Sequence, residues 1–123
     1  MDFDQAISAH SNWKAKLRAY LTKPDRSLSP SEIAQDNKCE LGKWIHGEGA
    51  HHANLPEFQT LRDEHAHFHK TAAEVVRKAD SGQNMTEETA LGSKSEFATA
   101  SSRVVSAIMG IKAKVAKERL VTK

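Results

Sequence analysis

An all-α fold, an antiparallel four-helix-type bundle with a short additional helix carrying the only cysteine, is what this sequence predicts. Three observations lead there. Apolar residues recur every three or four positions over long stretches, no segment alternates apolar and polar residues as a half-buried strand does, and no Asn-Gly hairpin signal occurs. At 123 residues, with 38% apolar and 28% charged side chains, the chain has the size of one domain with one sizeable core. A single domain over 1–123, with its core at about 3–115, is therefore expected.

The elements follow in order. Phe3, Ile7, His10, Trp13, Leu17 and Leu21 form one stripe, with Asp2 or Asp4 available as an N-cap and Pro24 as the stop. His10 lies on that buried stripe. From Lys23 to Asn37 the chain is a polar connection, in which Ser29-Pro30-Ser31-Glu32 offers a serine N-cap, proline at the first helical position and glutamate at N3, so a short helical turn is expected. Cys39-Glu40-Leu41-Gly42-Lys43-Trp44-Ile45 reads as a short apolar helix stopped by Gly47 and Gly49. A long helix begins near Leu55-Pro56-Glu57. Its stripe is Phe58, Leu61, His65, Phe68, His69, Ala72, Val75, Val76 and Ala79, and Asp80-Ser81-Gly82 ends it. The last helix is expected from about Thr86-Glu87, carrying Leu91, Phe97, Ala98, Ser101, Val104, Val105, Ile108, Ile111 and Val115 and continuing toward Leu120.

Charge narrows the function classes. A formal net charge of +2, with basic and acidic residues evenly mixed, argues against a nucleic-acid or membrane surface. Only Lys112 to Lys123 is locally basic, which reads as a solvated helix end. No apolar run approaches the ~18 residues of a transmembrane helix and no leader pattern opens the chain, so a soluble, unprocessed segment is expected. One cysteine excludes an internal disulfide and suits a reducing cytoplasm, where such a residue is buried, metal-bound or reactive.

The chemistry rests on His10, Cys39, His65 and His69. Residues i and i+4 on a helix project from one face, so His65 and His69 can converge on one ion, whereas His67 sits about 200° around from His65 and should face solvent. One histidine on an apolar face reads as a hydrogen-bonded core residue. Three of them with the only cysteine would bury four polar groups without an ion, and a His3Cys set is a full tetrahedral shell for Zn2+. His46, His51 and His52 fall in the glycine-containing loop and read as solvated surface. Other metal sites fit less well. A zincin protease needs glutamate directly after the first histidine, where Ala66 stands, and a di-iron bundle needs Glu-x-x-His pairs that Asp63-Glu64-His65 does not supply. A haem attachment would need a second cysteine. Four protein ligands leave no open position for a substrate, so an enzyme is not expected.

The combination His10-Ser11-Asn12-Trp13, Cys39-Glu40-Leu41-Gly42-Lys43-Trp44 and His65-x-x-x-His69 resembles the chemoreceptor zinc-binding (CZB) domain family of bacterial signalling proteins. Between these blocks lie 25 residues from Trp13 to Cys39 and 20 from Trp44 to His65, within that family's spacing. The resemblance covers roughly residues 3 to 115. It implies zinc ligands at His10, Cys39, His65 and His69, and packing roles for Trp13, Leu41, Gly42 and Trp44 in seating the cysteine helix on the bundle. It further implies a cytoplasmic domain that commonly dimerises, works with methyl-accepting chemotaxis receptors or diguanylate cyclases in cis or in trans, and binds zinc as a regulatory ion. In some members the zinc-bound cysteine is thought to answer hypochlorous acid, which would make Cys39 a redox switch. A helical interaction module with a purely structural zinc site is the alternative. Nothing in the 123 residues resembles a signalling hairpin or a nucleotide cyclase.

Overall fold

The computed structural model describes residues 2–23, 25–37, 39–82 and 90–121, with side chains through Ala116. The fold is an all-α antiparallel bundle. Its long members are α1 (Phe3–Ser11), α2 (Trp13–Thr22), α5 (Pro56–Asp80) and α6 (Glu96–Val121), and two short helices, α3 (Pro30–Ile33) and α4 (Glu40–His46), sit beside them with a 3-10 turn at Glu48–His52. The most extensive contact is α5 on α6; α1 packs on α6, α2 and α3 pack on α5, and α4 lies against α1 and the 3-10 turn.

Helix α1 starts at Asp2, whose carboxylate accepts the Gln5 N–H at 3.1 Å. The single first helix expected from the stripe is interrupted at Asn12, which keeps right-handed helical dihedrals (φ −71°, ψ −15°) between α1 and α2. The chain leaves α2 at Thr22, and Pro24, the expected stop, lies outside the described residues. Pro30 and Pro56 take the first positions of α3 and α5 as expected. The expected Ser29 cap differs: Ser29 holds the N-cap position, but its hydroxyl pairs with that of Ser31 at 3.1 Å and caps no helix N–H.

All of the expected α5 stripe is buried, joined by Thr71 and Ala73. Helix α5 ends at Asp80, and the chain turns away at Gly82, whose φ of +80° is the left-handed conformation that glycine adopts without strain. The expected start of the last helix around Thr86-Glu87 lies outside the described residues. Leu91, placed in that helix by its spacing, is buried but belongs to a separate helical piece: the chain turns at Gly92–Ser95 before α6 begins. Ser95 then caps α6, its hydroxyl accepting the Ala98 N–H at 3.1 Å. Phe97, Ala100, Val104, Ala107, Ile108 and Ile111 carry the α6 core face, with Phe97 and Phe68 rings 5.5 Å apart across the bundle. Among the described residues no helix is long and apolar enough to cross a membrane.

Two contacts tie the ends of the bundle. Tyr20 donates its hydroxyl hydrogen to Asp80 and accepts the Arg26 N–H at 3.0 Å, pinning the start of the polar connection to the end of α5. Lys112 on α6 reaches Asp4 on α1 at 2.6 Å.

Candidate metal centre

Three elements deliver four donor atoms to one point. His10 comes from the last turn of α1, Cys39 is the N-cap of α4, and His65 and His69 stand one turn apart on the buried face of α5. The helical phase of α5 explains why both imidazoles point inward while His67, between them, is exposed and faces Glu96 at 3.8 Å. One nitrogen from each histidine and the Cys39 sulfur all lie within 4.8 Å of one another, among almost fully buried side chains.

The separations among Cys39, His65 and His69 match a metal shell. A tetrahedral Zn2+ with its usual bond lengths sets nitrogens about 3.3 Å apart and nitrogen and sulfur about 3.6 Å apart. Here His65 Nε2 and His69 Nε2 are 3.1 Å apart, and Cys39 Sγ lies 3.2 Å from the former and 3.6 Å from the latter. The outer nitrogens fix the orientation of the rings. His10 Nδ1 donates to the Ala6 carbonyl at 2.8 Å and His69 Nδ1 donates to the Ile33 carbonyl at 2.9 Å, so each presents a bare Nε2 lone pair to the cluster. His10 Nε2 is buried with no hydrogen-bond partner among the described residues. Lone pairs aimed at one another in a buried cluster repel, and a cation among them converts that repulsion into coordination. The residues therefore fit a zinc ion.

Electrostatics agree. Burial pushes all three histidines below the usual imidazole range, His65 to about 2, with their mutual repulsion as a further cause for His10 and His65. They are neutral at physiological pH, the form that binds metal. Burial pushes the Cys39 thiol up, against the opposing pull of the Gly42 backbone N–H, so without a cation the sulfur keeps its proton.

The surrounding packing holds the sulfur in place. Cys39 Sγ accepts the Gly42 N–H at 3.3 Å, closing the first turn of α4. Gly42 is buried so tightly that a Cβ there would stand 1.6 Å from the Asp36 carbonyl oxygen. Leu41 is buried in the core, and Trp44 meets Phe3 edge-on at 5.2 Å and Phe58 at 6.1 Å. Trp13 is half-buried against the core, with the Lys16 ammonium 4.7 Å above its ring. His46, expected in a loop, instead ends α4 with its side chain 47% exposed and 3.5 Å from Asp36. His51 is exposed, and His52 is partly buried in a stack on Trp44. Asp36 is the feature that sequence reading missed: it lies in the aperiodic turn before Cys39, where no helical phase signals a buried contact.

A family model described as Chemoreceptor zinc-binding domain matches residues 10–76, more than half of the chain, and spans all four donors. No curated protein and no solved structure matches the chain significantly.

Proposed function

Because the chain belongs to the chemoreceptor zinc-binding domain family, we propose that it is a regulatory Zn2+-binding domain of a bacterial signalling system, with His10 Nε2, Cys39 Sγ, His65 Nε2 and His69 Nε2 as the ligands. The observation that carries this reading is the convergence of those four atoms within 4.8 Å. With all four donors from the protein, no position is left for a substrate, and the domain acts by binding and not by catalysis. The domain comprises residues 1–123 with its core at about 3–115, works in the cytoplasm, pairs as a homodimer, and passes its state to a chemotaxis receptor or a diguanylate cyclase module in cis or in trans.

Cys39 is the switch in this reading. Bound zinc stabilises the thiolate, which burial alone disfavours. The thiolate donates an electron pair to the oxygen of hypochlorous acid; the O–Cl bond breaks, chloride leaves and Cys39 becomes a sulfenic acid, the sulfur oxidised by two electrons and the chlorine reduced by two. The same sulfur accepts the Gly42 N–H, so oxidation weakens a ligand and the cap of α4 in one event. A purely structural zinc site would instead couple the ion to the whole fold. The α5–α6 contact, the most extensive in the bundle and carried by buried Phe97, Val104 and Ile108, favours the local response.

Metal analysis of purified variants tests the ligand set. One Zn2+ per chain is expected in the unmodified protein, strong loss in Cys39→Ala and His69→Ala, and retention in His67→Ala and His52→Ala. Equal loss from His67→Ala would refute the assignment. Chelation separates sensor from structural site: the sensor keeps most of its helix, whereas a structural site unfolds cooperatively.

A further inference from the structure

Asp36 touches the metal centre from behind. It stands in the turn between α3 and α4, with Oδ2 3.8 Å from His65 Nδ1 and 3.5 Å from His46 Nε2. Its backbone is fixed by the close approach to Gly42, and its carbonyl lies 4.0 Å from Cys39 Sγ. His65 is 0% exposed, and its Nδ1 is buried without a hydrogen-bond partner among the described residues. The outer nitrogens of His10 and His69 are each held by a main-chain carbonyl. Among the described residues, His65 is the one of the three whose outer nitrogen has a carboxylate within 4 Å.

We infer that Asp36 is a positioning residue of the zinc centre: its carboxylate holds His65 in the Nδ1–H tautomer, turns the Nε2 lone pair toward the donor cluster and sets the strength of His65 as a ligand. The inference rests on the reading that the four donors hold zinc. A neutral imidazole can carry its proton on either nitrogen, and only one choice leaves Nε2 free. For a fully buried ring the carboxylate beside Nδ1 biases that choice. A carboxylate beside Nδ1–H also increases the electron density at Nε2, and such outer partners typically change metal affinity 10–100-fold. His46, at the end of the helix that Cys39 caps, lies 3.5 Å from the same oxygen on the solvent side.

The test uses the full chain, zinc and a chromophoric chelator in competition. Asp36→Asn keeps the size of the side chain and removes the charge; it is expected to weaken zinc binding 10–100-fold with unchanged helical circular dichroism. Asp36→Glu, which keeps the charge, is expected to bind more tightly than Asp36→Asn, and the reverse order overturns the proposal. Imidazole 15N NMR on the unmodified zinc-free protein supplies a readout that needs no variant: His65 carries its proton on Nδ1. Affinity of Asp36→Asn within twofold of the parent, or an Nε2–H tautomer at His65, overturns the inference. Failure of the unmodified chain to bind zinc would strike the ligand assignment, and the NMR result would still judge Asp36.

Discussion

Replacing Gly42 by alanine sets two effects of known sign against each other. Inside a helix, alanine is favoured over glycine by about 1 kcal/mol, so propensity alone predicts that Gly42→Ala stabilises α4. The surroundings predict the opposite. The added Cβ would lie 1.6 Å from the Asp36 oxygen, 2.7 Å from its carbonyl carbon and 3.0 Å from the Asn37 Cα, all backbone atoms that cannot rotate aside. Either the turn or α4 must retreat by roughly 1.4 Å to bring the oxygen contact to 3.0 Å, whereas ligand shells tolerate displacements of about 0.5 Å. Because the Gly42 N–H is bonded to Cys39 Sγ, the movement is passed to the sulfur. The expected result is a loss of zinc affinity of roughly 100-fold, about 2.7 kcal/mol, and a metal-free protein destabilised by about 1–3 kcal/mol. Gly110 in α6 is the control, since nothing lies within 4 Å of a Cβ built there; Gly110→Ala should leave zinc binding intact and stabilise by up to about 1 kcal/mol. Chelator competition and thermal melts of both variants decide. If Gly42→Ala matches Gly110→Ala in both assays, the steric reasoning is wrong.

Three further outcomes are expected. The depressed histidines give the metal-free fold an acid limit: unfolded, His10, His65 and His69 take up protons near pH 6.5, while folded they resist, so stability is full above that pH and falls below it by up to about 1.4 kcal/mol per pH unit per histidine. Denaturant midpoints of zinc-free protein that stay constant from pH 7 to 4.5 would contradict this. Near-stoichiometric hypochlorous acid should convert Cys39 to a sulfenic acid that thiols reverse, with zinc affinity lowered and Trp44 fluorescence shifted in a Trp13→Phe background; oxidised methionines beside a reduced Cys39 and retained zinc would sink the switch. Homodimerisation, supported by Met109 at 57% exposure on α6 and by the half-exposed Val105 and Val115, should appear in sedimentation at micromolar concentration, and a species of 13.6 kDa alone would count against it.

Long periodic stretches were the legible part of this molecule. The phase of α5 alone separates His65 and His69 from His67, because a helix fixes side-chain direction from spacing. Where direction is set by tertiary approach, spacing is silent. Asn12 interrupts a stripe that reads as continuous, Gly92–Ser95 divides what reads as one helix, and the Ser29 hydroxyl turns to Ser31 in place of its cap. The same holds for Asp36 and for the pairing of Trp44 with Phe3: each depends on how an aperiodic segment lies against a helix distant in sequence. A packing role for Gly42 is legible only through the family resemblance. What it packs against is not legible, since the neighbour is a main-chain carbonyl that carries no residue-specific signal.

The donors are drawn from separate stretches of chain, 29 positions from His10 to Cys39 and 26 from Cys39 to His65. A bound ion is thus a cross-link that closes two successive loops, and it restricts the unfolded chain much as a pair of disulfides would. Both loops hold the parts least able to keep themselves in order, α3 with four residues and α4 with seven, while α5 and α6 lie mostly outside the stapled region. Order is therefore unevenly shared: α5 and α6 bury most of the core between them, and the short helices α3 and α4 would gain the most from the cross-link. Amide hydrogen exchange in α3 and α4 should quicken when the link is cut, with the α5–α6 amides still protected.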